Sequence, residues 1–258
     1  MKLLSGKVAI ITGGASGIGY AAATQFAAHG ARLVLVGQNR ARLVDAVAAL
    51  GPEVASYVVA DVADADQVAG YVRHTVDRHQ RIDILFSNAG IEGSVANIDD
   101  YPIDVFDRVV AVNVRGVWLG LKYVMPVMAK TGGGSIVINS SIAGFKGFPQ
   151  MSAYVASKHA VVGVMRSAAL EGAAQGIRVN TIHPGQIDTR MMLDIETLFM
   201  PNDPAGVRAF IAGTIPLKRY GTPDEVARIV LFLASDDSRF CTGGMYPIDG
   251  GVSAGQAV

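Results

Sequence analysis

The chain has 258 residues, half of them hydrophobic and 17% charged, with 22 basic and 22 acidic side chains. The balanced charge excludes the strongly basic surface that favours nucleic acid or an anionic membrane, and the composition favours a compact globular protein over a disordered one. The only cysteine, Cys241, excludes an internal disulfide, and no apolar run approaches a membrane span, so we expect a cytoplasmic protein.

From the N-terminus onward, short β-branched runs alternate with longer amphipathic stretches. The short runs predict strands, and the longer stretches predict helices. The predicted order is strand 7–12, helix 18–29, strand 32–36, helix 40–50, strand 56–60, helix 64–79, strand 82–87, helix 104–129, strand 135–139, helix 152–175, strand 177–182, helix 224–234 and strand 245–248.

This alternation predicts an α/β fold. Parallel βαβ units place helices on both faces of one sheet, and apolar strands fit a sheet that is covered on both sides. We expect a single Rossmann-type doubly wound parallel sheet of about seven strands in one domain over residues 1–258, without repeats or linkers. Residues 188–216 are the least regular, and we expect about 189–216 to form a mobile lid over the substrate.

A glycine-rich segment, TGGASGIG, lies between the first predicted strand and the first predicted helix. Gly13, Gly17 and Gly19 allow a tight turn and a close approach of the backbone to a ligand. The helix start presents free N–H groups and the positive end of its dipole to a phosphate. Because a doubly wound sheet binds a dinucleotide at this position, the segment predicts a cofactor site rather than a plain turn.

The spacing Thr-Gly-x-x-x-Gly-x-Gly resembles that of the short-chain dehydrogenase/reductase family, and the resemblance covers almost the whole chain. Each matching motif is weak alone, but the set is specific. The other matches are Asp61-Val62 after the third strand, Ser87-Asn88-Ala89-Gly90 with Ser in place of the first Asn, Asn113 in VNVRG, Ser141, Tyr154-x-x-x-Lys158, and Pro184-Gly185 with Thr189.

The resemblance implies that the protein binds NAD or NADP and forms an oligomer. It implies a homotetramer formed through the two long helices and the C-terminal segment, which the apolar residues 112–127 and 245–248 allow. The expected cofactor contacts are Gly13, Ser16, Gly17, Ile18, Gly19, Gly37, Gln38, Asn39, Arg40, Asp61, Val62, Asn88, Ala89, Gly90, Tyr154, Lys158, Pro184, Gly185, Ile187 and Thr189.

Tyr154 and Lys158 lie four positions apart in a predicted helix, so they share one face. A free tyrosine has a pKa of about 10, and service as a base near neutral pH requires lowering it by about three units, or about 4 kcal/mol. A lysine cation about 4 Å away at an effective dielectric of about 20 supplies that amount. The pair therefore predicts an acid/base device, although the pattern alone also fits an exposed aromatic beside an exposed lysine.

Two further residues complete the expected catalytic set of Asn113, Ser141, Tyr154 and Lys158. Ser141 follows the fifth strand, at the edge where ligands bind, so its hydroxyl can hydrogen-bond the substrate oxygen. The resemblance implies that Asn113 holds a water that relays protons to Lys158. No spacing of His, Cys and carboxylates suggests a metal site, and His183 is expected to be structural.

The expected reaction is hydride transfer between a nicotinamide and the carbon of a secondary alcohol or ketone. Segments 91–97, 144–151 and 189–215 should surround the nicotinamide and form an apolar substrate pocket. Their apolar side chains are Ile91, Phe145, Phe148, Met151, Met191, Met192 and Phe199. NAGIEG, RGVWLGL, KRYG and IDGGVSA resemble stretches of family members that act on cyclic ketones, so we expect a cyclic or aryl-alkyl substrate. The alternatives are a non-catalytic dinucleotide-binding regulator, or an epimerase or dehydratase.

The end of the second strand bears on the choice between NAD and NADP. Gly37 lies twenty residues after Gly17, where an acid would bind the ribose hydroxyls and repel a 2′-phosphate. The family's NADP pattern usually places Arg directly after this position, but here it is Gln38. Arg40 is the remaining candidate for the phosphate, and Asn39 can hydrogen-bond either cofactor. The sequence thus favours NADP and leaves the use of both cofactors open.

Overall fold

The computed structural model describes residues 2–255, in which seven strands form one sheet in the order β3-β2-β1-β4-β5-β6-β7. Every neighbouring pair is parallel, which confirms the predicted doubly wound sheet. The strands are β1 (Val8–Thr12), β2 (Arg32–Gly37), β3 (Ala55–Val59), β4 (Ile84–Ser87), β5 (Gly134–Asn139), β6 (Ile177–Pro184) and β7 (Met245–Ile248). β3 and β7 are the edges of the sheet, and β7 contains Pro247.

Helices cover both faces of this sheet and enclose two separate hydrophobic cores. Within β1, Ile11 packs into the core that contains Phe26 and Val230, whereas its neighbour Ile10 packs into the core that contains Met165. The helices are α1 (Gly17–Ala28), α2 (Arg40–Leu50), α3 (Ala65–His79), α4 (Ile103–Val110), α5 (Gly116–Lys130), α6 (Ser152–Ala173), α7 (Arg190–Phe199), α8 (Pro204–Thr214) and α9 (Pro223–Ala234). None of these helices is long and apolar enough to cross a membrane.

The predicted helix over 104–129 is continuous in direction but changes its hydrogen-bond pattern in the middle. α4 and α5 are joined by the π-helical turn Ala111–Arg115, which carries Asn113. Such turns inside α-helices are uncommon and frequently mark functional sites. The hydrophobic pattern did not reveal this turn, because one extra residue shifts the helical period only slightly.

The segment 188–216 was expected to be irregular, and this expectation is wrong. It forms α7 and α8, each with a side-chain cap at its start: Thr189 accepts from the amide of Met192, and Asp203 accepts from that of Gly206. Pro204 stands at the first helical position of α8, where its missing N–H costs no hydrogen bond.

The order of strands reverses between β1 and β4, and the carboxyl ends of the strands meet at one edge of the sheet. The loops at this edge follow the strand order, so residues that are distant in sequence lie in one row. From β3 to β5 the row passes Asp61, Gly37, Gly13, Asn88 and Ser141.

Candidate active site

The glycine loop after β1 has a geometry that other residues cannot adopt easily. Gly13 and Gly17 have φ angles of +65° and +51°, in the left-handed region that favours glycine. A Cβ on Gly19 would overlap the carbonyl oxygen of Gly13. Ser16 precedes α1 in an extended conformation, and its side chain does not cap the helix, which leaves the first-turn amides for a ligand. The loop therefore fits the phosphates of a dinucleotide.

Asn88 connects this loop to the neighbouring strands. The amides of Asn88 and Ala89 donate to the hydroxyl of Thr12 at 2.9 and 3.0 Å, and the Asn88 side chain donates to the carbonyls of Thr12 and Gly13 at 3.0 and 3.3 Å. The same side chain accepts from Nδ2 of Asn139 at 2.9 Å. Asn88 thus fixes the glycine loop to the ends of β4 and β5.

A cleft of about 380 Å³ opens at the carboxyl edge of the sheet, and Ser141, Tyr154 and Lys158 line it together. The predicted cofactor contacts that line this cleft are Ile18, Asn88, Gly90, Tyr154, Lys158, Pro184, Gly185, Ile187 and Thr189. The remaining predicted contacts lie at or just beyond the carboxyl ends of β1, β2, β3 and β4: Gly13, Ser16, Gly17, Gly19, Gly37, Gln38, Asn39, Arg40, Asp61, Val62 and Ala89.

Tyr154 and Lys158 project from one face of α6, as their spacing predicts. Nζ of Lys158 lies 5.4 Å from the centroid of the Tyr154 ring and donates to the carbonyl oxygen of Asn139 at 2.8 Å. Lys158 is buried, and a Cβ on Gly90 would lie 3.5 Å from Nζ, which is an ordinary van der Waals contact. Sequence analysis missed Asn139, although its position at the end of the fifth predicted strand was a signal.

The pKa values of this pair differ from the sequence-based expectation. Burial raises the pKa of Tyr154 to about 12, and a hydrogen bond from Ser141 acts in the opposite direction. Burial also lowers the pKa of Lys158 to about 8. The expectation that Lys158 lowers the pKa of Tyr154 below its ordinary value does not hold for the protein without its cofactor, because loss of water around the phenol outweighs the Ser141 hydrogen bond and the charge of Glu92 raises the pKa further.

Of the two serines that follow β5, only one presents its hydroxyl to the tyrosine. The Ser140 hydroxyl donates to the main-chain carbonyl of Lys158 at 2.9 Å, which leaves it structural. The Ser141 hydroxyl accepts from the amide of Ala143 at 3.1 Å, lines the cleft together with Tyr154 and acts to lower the pKa of that tyrosine. The geometry therefore supports the choice of Ser141 over Ser140.

Asn113 is buried on the π-helical turn, and its side chain is fully engaged. Its Oδ1 accepts from the amide of Ile91 at 2.9 Å, and its Nδ2 donates to the Ile91 carbonyl at 2.9 Å and to the Ser157 hydroxyl at 3.0 Å. The side chain thus holds the segment that follows Gly90 against α6. The water relay through Asn113 stays a prediction.

The end of β2 is open to solvent. Asn39 caps α2 by accepting from the Arg42 amide at 3.0 Å, and the exposed side chain of Arg40 makes no hydrogen bond or ion pair within residues 2–255. Gly37 has no positive φ, and a Cβ there would approach nothing closer than Leu43 at 3.8 Å. Neither backbone strain nor lack of space explains this glycine, so an acidic side chain would fit.

Asp61 and Val62, after β3, occupy different environments. Asp61 is partly exposed, accepts from the Ala63 amide at 2.9 Å and forms an ion pair with Arg108 at 2.8 Å. Val62 is buried against Val112. Sequence analysis did not identify Arg108 as the partner, because the two residues are separated by 47 positions.

The far wall of the cleft is apolar, and α7 and α8 supply much of it. The residues of these two helices that line the cleft are Met191, Met192, Ile195 and Phe199 of α7, and Ile211 and Thr214 of α8. Phe148 and Met151 line it from the loop before α6, but Ile91 and Phe145 do not line it, contrary to expectation. Phe145 instead packs on His183, with 4.2 Å between ring centroids.

Comparison with known proteins identifies the family. A family model described as "Enoyl-(Acyl carrier protein) reductase" matches residues 13–253. The chain is 41% identical over 252 residues to levodione reductase of Leifsonia aquatica, and the match covers 96% of this chain and 94% of the relative. The chain belongs to the short-chain dehydrogenase/reductase family. A second family member, cyclohexanol dehydrogenase of Acinetobacter, is 38% identical over 247 residues, covering 95% of this chain and 94% of that protein.

Solved structures of the short-chain dehydrogenase/reductase family agree with this. A crystal structure of levodione reductase matches with a TM-score of 0.95 at 41% identity, covering 97% of this chain and 99% of that one. A xylitol dehydrogenase with bound NAD⁺ matches with a TM-score of 0.93 at 38% identity, and the match covers 96% of this chain and 99% of that one. The chain is an oxidoreductase of this family that interconverts an alcohol and a ketone with NAD(P), which confirms the predicted enzyme class.

Proposed function

We propose that the enzyme interconverts an apolar ketone, cyclic or aryl-alkyl, and its secondary alcohol, with Tyr154 as the acid/base group. One observation carries the proposal: Ser141, Tyr154 and Lys158 face an apolar wall across one cleft of about 380 Å³. This volume lies in the range of small-molecule sites. Among residues 2–255, no carboxylate or arginine lines this cleft, which disfavours charged substrates.

The side chains have complementary roles in ketone reduction. With a pKa of about 12, Tyr154 is protonated at pH 7, so it can donate its proton to the ketone oxygen. Ser141 orients that oxygen by a hydrogen bond. Lys158 donates to the Asn139 carbonyl and keeps a positive charge beside the tyrosine, which favours the tyrosinate that remains. The bound nicotinamide would supply the hydride to the carbonyl carbon, and the product is the neutral alcohol.

The apolar wall supports a substrate with few hydroxyl groups. Six of its side chains belong to the two lid helices, and the named activities of levodione reductase and cyclohexanol dehydrogenase concern ring compounds. We propose that residues 1–258 act as one catalytic domain in which about 189–216 closes over the substrate. Arg208 of α8 pairs with Asp188 at 2.8 Å, which ties the lid to the loop after β6.

A panel of substrates tests this function. Reduced-cofactor consumption would be followed at 340 nm with cyclohexanone, acetophenone, xylulose and an enoyl thioester. We expect kcat/KM for the two ketones to exceed that for the sugar and the thioester by about 100-fold, because unpaired hydroxyls are poorly tolerated in an apolar pocket. Activity confined to the sugar or the thioester would refute the proposal.

For the cofactor, we propose that the enzyme prefers NADP and also uses NAD. The residues that would hold the dinucleotide are the glycine loop, Asn88–Gly90 and the loop after β6, and Arg40 would contact the 2′-phosphate. Two observations support the preference for NADP. Residue 37 is a glycine and has no carboxylate to repel the 2′-phosphate, and Arg40 is exposed and forms no ion pair within the described chain. The NAD⁺-bound xylitol dehydrogenase is the reason to keep NAD as a second cofactor.

Substitutions at the end of β2 should change the cofactor preference. We expect Gly37→Asp to lower the ratio of kcat/KM for NADPH over NADH by about 100-fold, since the new carboxylate repels the 2′-phosphate and binds the ribose hydroxyls. Arg40→Ala should lower kcat/KM for NADPH about tenfold, the loss of one charge-assisted hydrogen bond, and leave that for NADH unchanged. Arg42→Ala, in the same helical turn, is the matched control. An NADH preference in the wild type that Arg40→Ala does not alter would contradict the proposal.

We also propose that the enzyme is a homotetramer without a nucleic-acid or membrane partner. Trp118, which lines the groove between α5 and α6, is 50% exposed, and Leu170 of α6 is 81% exposed. Large exposed apolar side chains favour contact with another subunit. The cytoplasmic location stays a prediction from the single cysteine of the sequence.

A further inference from the structure

His183 is a wholly buried histidine of β6 that the proposed chemistry does not use. Its Nδ1 lies 2.7 Å from the carbonyl oxygen of Ser141, and its Nε2 lies 2.9 Å from the hydroxyl of Thr181. Both ring nitrogens therefore have partners. One of these partners is the main chain of the residue whose hydroxyl faces Tyr154.

The hydrogen bonds fix the tautomer of this ring. A carbonyl oxygen can only accept, so Nδ1 of His183 carries the proton and donates to Ser141. Nε2 of the neutral ring is then an acceptor. The Thr181 hydroxyl, which also lies 3.3 Å from the Gly244 carbonyl, donates its one proton to the nearer Nε2. Burial lowers the pKa of His183 to about 4, and the charges of Lys158 and His159 act in the same direction. The ring therefore keeps this tautomer at neutral pH.

The side chain of His183 adds a hydrogen bond between β6 and the chain after β5, at a point where the main chain of β6 has no N–H to donate. The amide of Ser140 donates to the carbonyl of Ile182 at 2.9 Å, which extends the parallel ladder by one bond. The next donor of β6 would be Pro184, which has no N–H. The imidazole of His183 supplies a donor just beyond this point and binds the Ser141 carbonyl instead.

The same ring supports the turn that begins at Ser141. Phe145, at the other end of this turn, packs on the imidazole with 4.2 Å between centroids and a tilt of 38°. A Cβ on Gly144 would lie 3.2 Å from Cε1 of His183, so the turn approaches the ring closely. His183 thus contacts both ends of the segment that sets the direction of the Ser141 hydroxyl.

We propose that His183 is a positioning residue for Ser141. Its Nδ1–H holds the Ser141 carbonyl, and this bond directs the Ser141 hydroxyl toward Tyr154 and the substrate oxygen. The inference rests on the proposed function, because it assigns His183 an effect on the same reaction. A purely structural histidine would affect stability without acting through the serine hydroxyl.

A double-mutant cycle between His183 and Ser141 separates the two possibilities. We expect His183→Leu to lower kcat for ketone reduction by about 10- to 100-fold, which is the cost of misplacing one catalytic group. In a Ser141→Ala background, the same change should lower kcat by less than about twofold, because the hydroxyl that it positions is gone. The dissociation constant of the reduced cofactor, measured by fluorescence, should change by less than about twofold in both backgrounds.

Two conservative variants provide a rescue test and cover the case in which His183→Leu does not fold. The side-chain nitrogen of Asn stands the same number of bonds from Cα as Nδ1 of His, whereas that of Gln stands one bond further. We therefore expect His183→Asn to keep kcat within about fivefold of the wild type, and His183→Gln to lose about tenfold or more. Equal kcat values for these two variants would overturn the proposal.

Asn180 of the same strand is the matched control. It is also wholly buried, and it donates to a main-chain carbonyl, that of Cys241 at 2.8 Å, on a loop outside the cleft. Asn180→Leu should lower the melting temperature about as much as His183→Leu but leave kcat of the folded fraction unchanged.

The outcomes distinguish this inference from the proposed function. If Ser141→Ala alone keeps the wild-type kcat, the catalytic assignment of Ser141 fails, and the role of His183 fails with it. If Ser141→Ala lowers kcat but His183→Leu has the same effect in both backgrounds, only the inference about His183 fails.

Discussion

Replacing Tyr154 with phenylalanine is expected to lower kcat by about 1000-fold, because the variant keeps the ring but has no proton to donate to the ketone oxygen. That loss corresponds to about 4 kcal/mol of transition-state stabilisation. Tyr154 lines the cleft beside Ser141 and Lys158, and burial raises its pKa to about 12, so it holds its proton at pH 7. The measurement is kcat for ketone reduction with saturating reduced cofactor.

Tyr57→Phe is the matched control, since Tyr57 lies on the edge strand β3 and outside the cleft. Tyr57→Phe should bind the reduced cofactor with wild-type affinity, whereas Tyr154→Phe should lose at most about tenfold, the worth of one hydroxyl contact. A Tyr154→Phe enzyme that retained more than a few per cent of kcat would contradict the acid/base role, whatever its KM.

Replacing Gly19 with alanine should weaken binding of both NADH and NADPH by about 10- to 100-fold, the cost of a methyl group in a space that is already filled. The new Cβ would overlap the Gly13 carbonyl and lie 2.7 Å from Nδ2 of Asn88. The loop would have to move, and Asn88 would lose the contacts that connect it to β1. A fluorescence titration with each reduced cofactor measures the effect.

Gly70→Ala is the control for a glycine without neighbours. Gly70 lies within α3, and a Cβ there would meet nothing within 4 Å. This change should raise the free energy of unfolding by about 1 kcal/mol, since alanine favours the helix, and leave cofactor binding unchanged. Equal losses of affinity for the two variants would show that the overlap at Gly19 is not the cause.

All seven strands could be predicted from short β-branched runs, because a parallel sheet that is covered on both faces requires continuous apolar strands. The helix from Arg40 to Leu50 was predicted with its correct bounds, since Asn39 caps its start and Gly51 follows its end. α7 and α8 were missed because the apolar residues of this segment stand among polar residues and prolines. In fact, Pro204 stands where a helix accepts proline.

Within the site, sequence motifs placed Ser141, Tyr154 and Lys158 in one cleft but could not give their environment. The elevated pKa of Tyr154 depends on how many apolar atoms surround the phenol, which is a property of the packed chain. Contacts such as the one from Asn139 to Asn88 join residues 51 positions apart, and no local pattern encodes them. Phe145 does not line the cleft, and its ring packs on the imidazole of His183 instead.

Pro247 has a consequence for how copies of the protein can meet. β7 is an edge of the sheet, and a strand that docks on an edge must pair with its row of main-chain donors. Pro247 interrupts this row, because it has no N–H to offer. An eighth strand from another molecule would find the row incomplete, so edge-to-edge growth into larger sheets is disfavoured at β7. Subunits that approach each other there must interlock through their side chains.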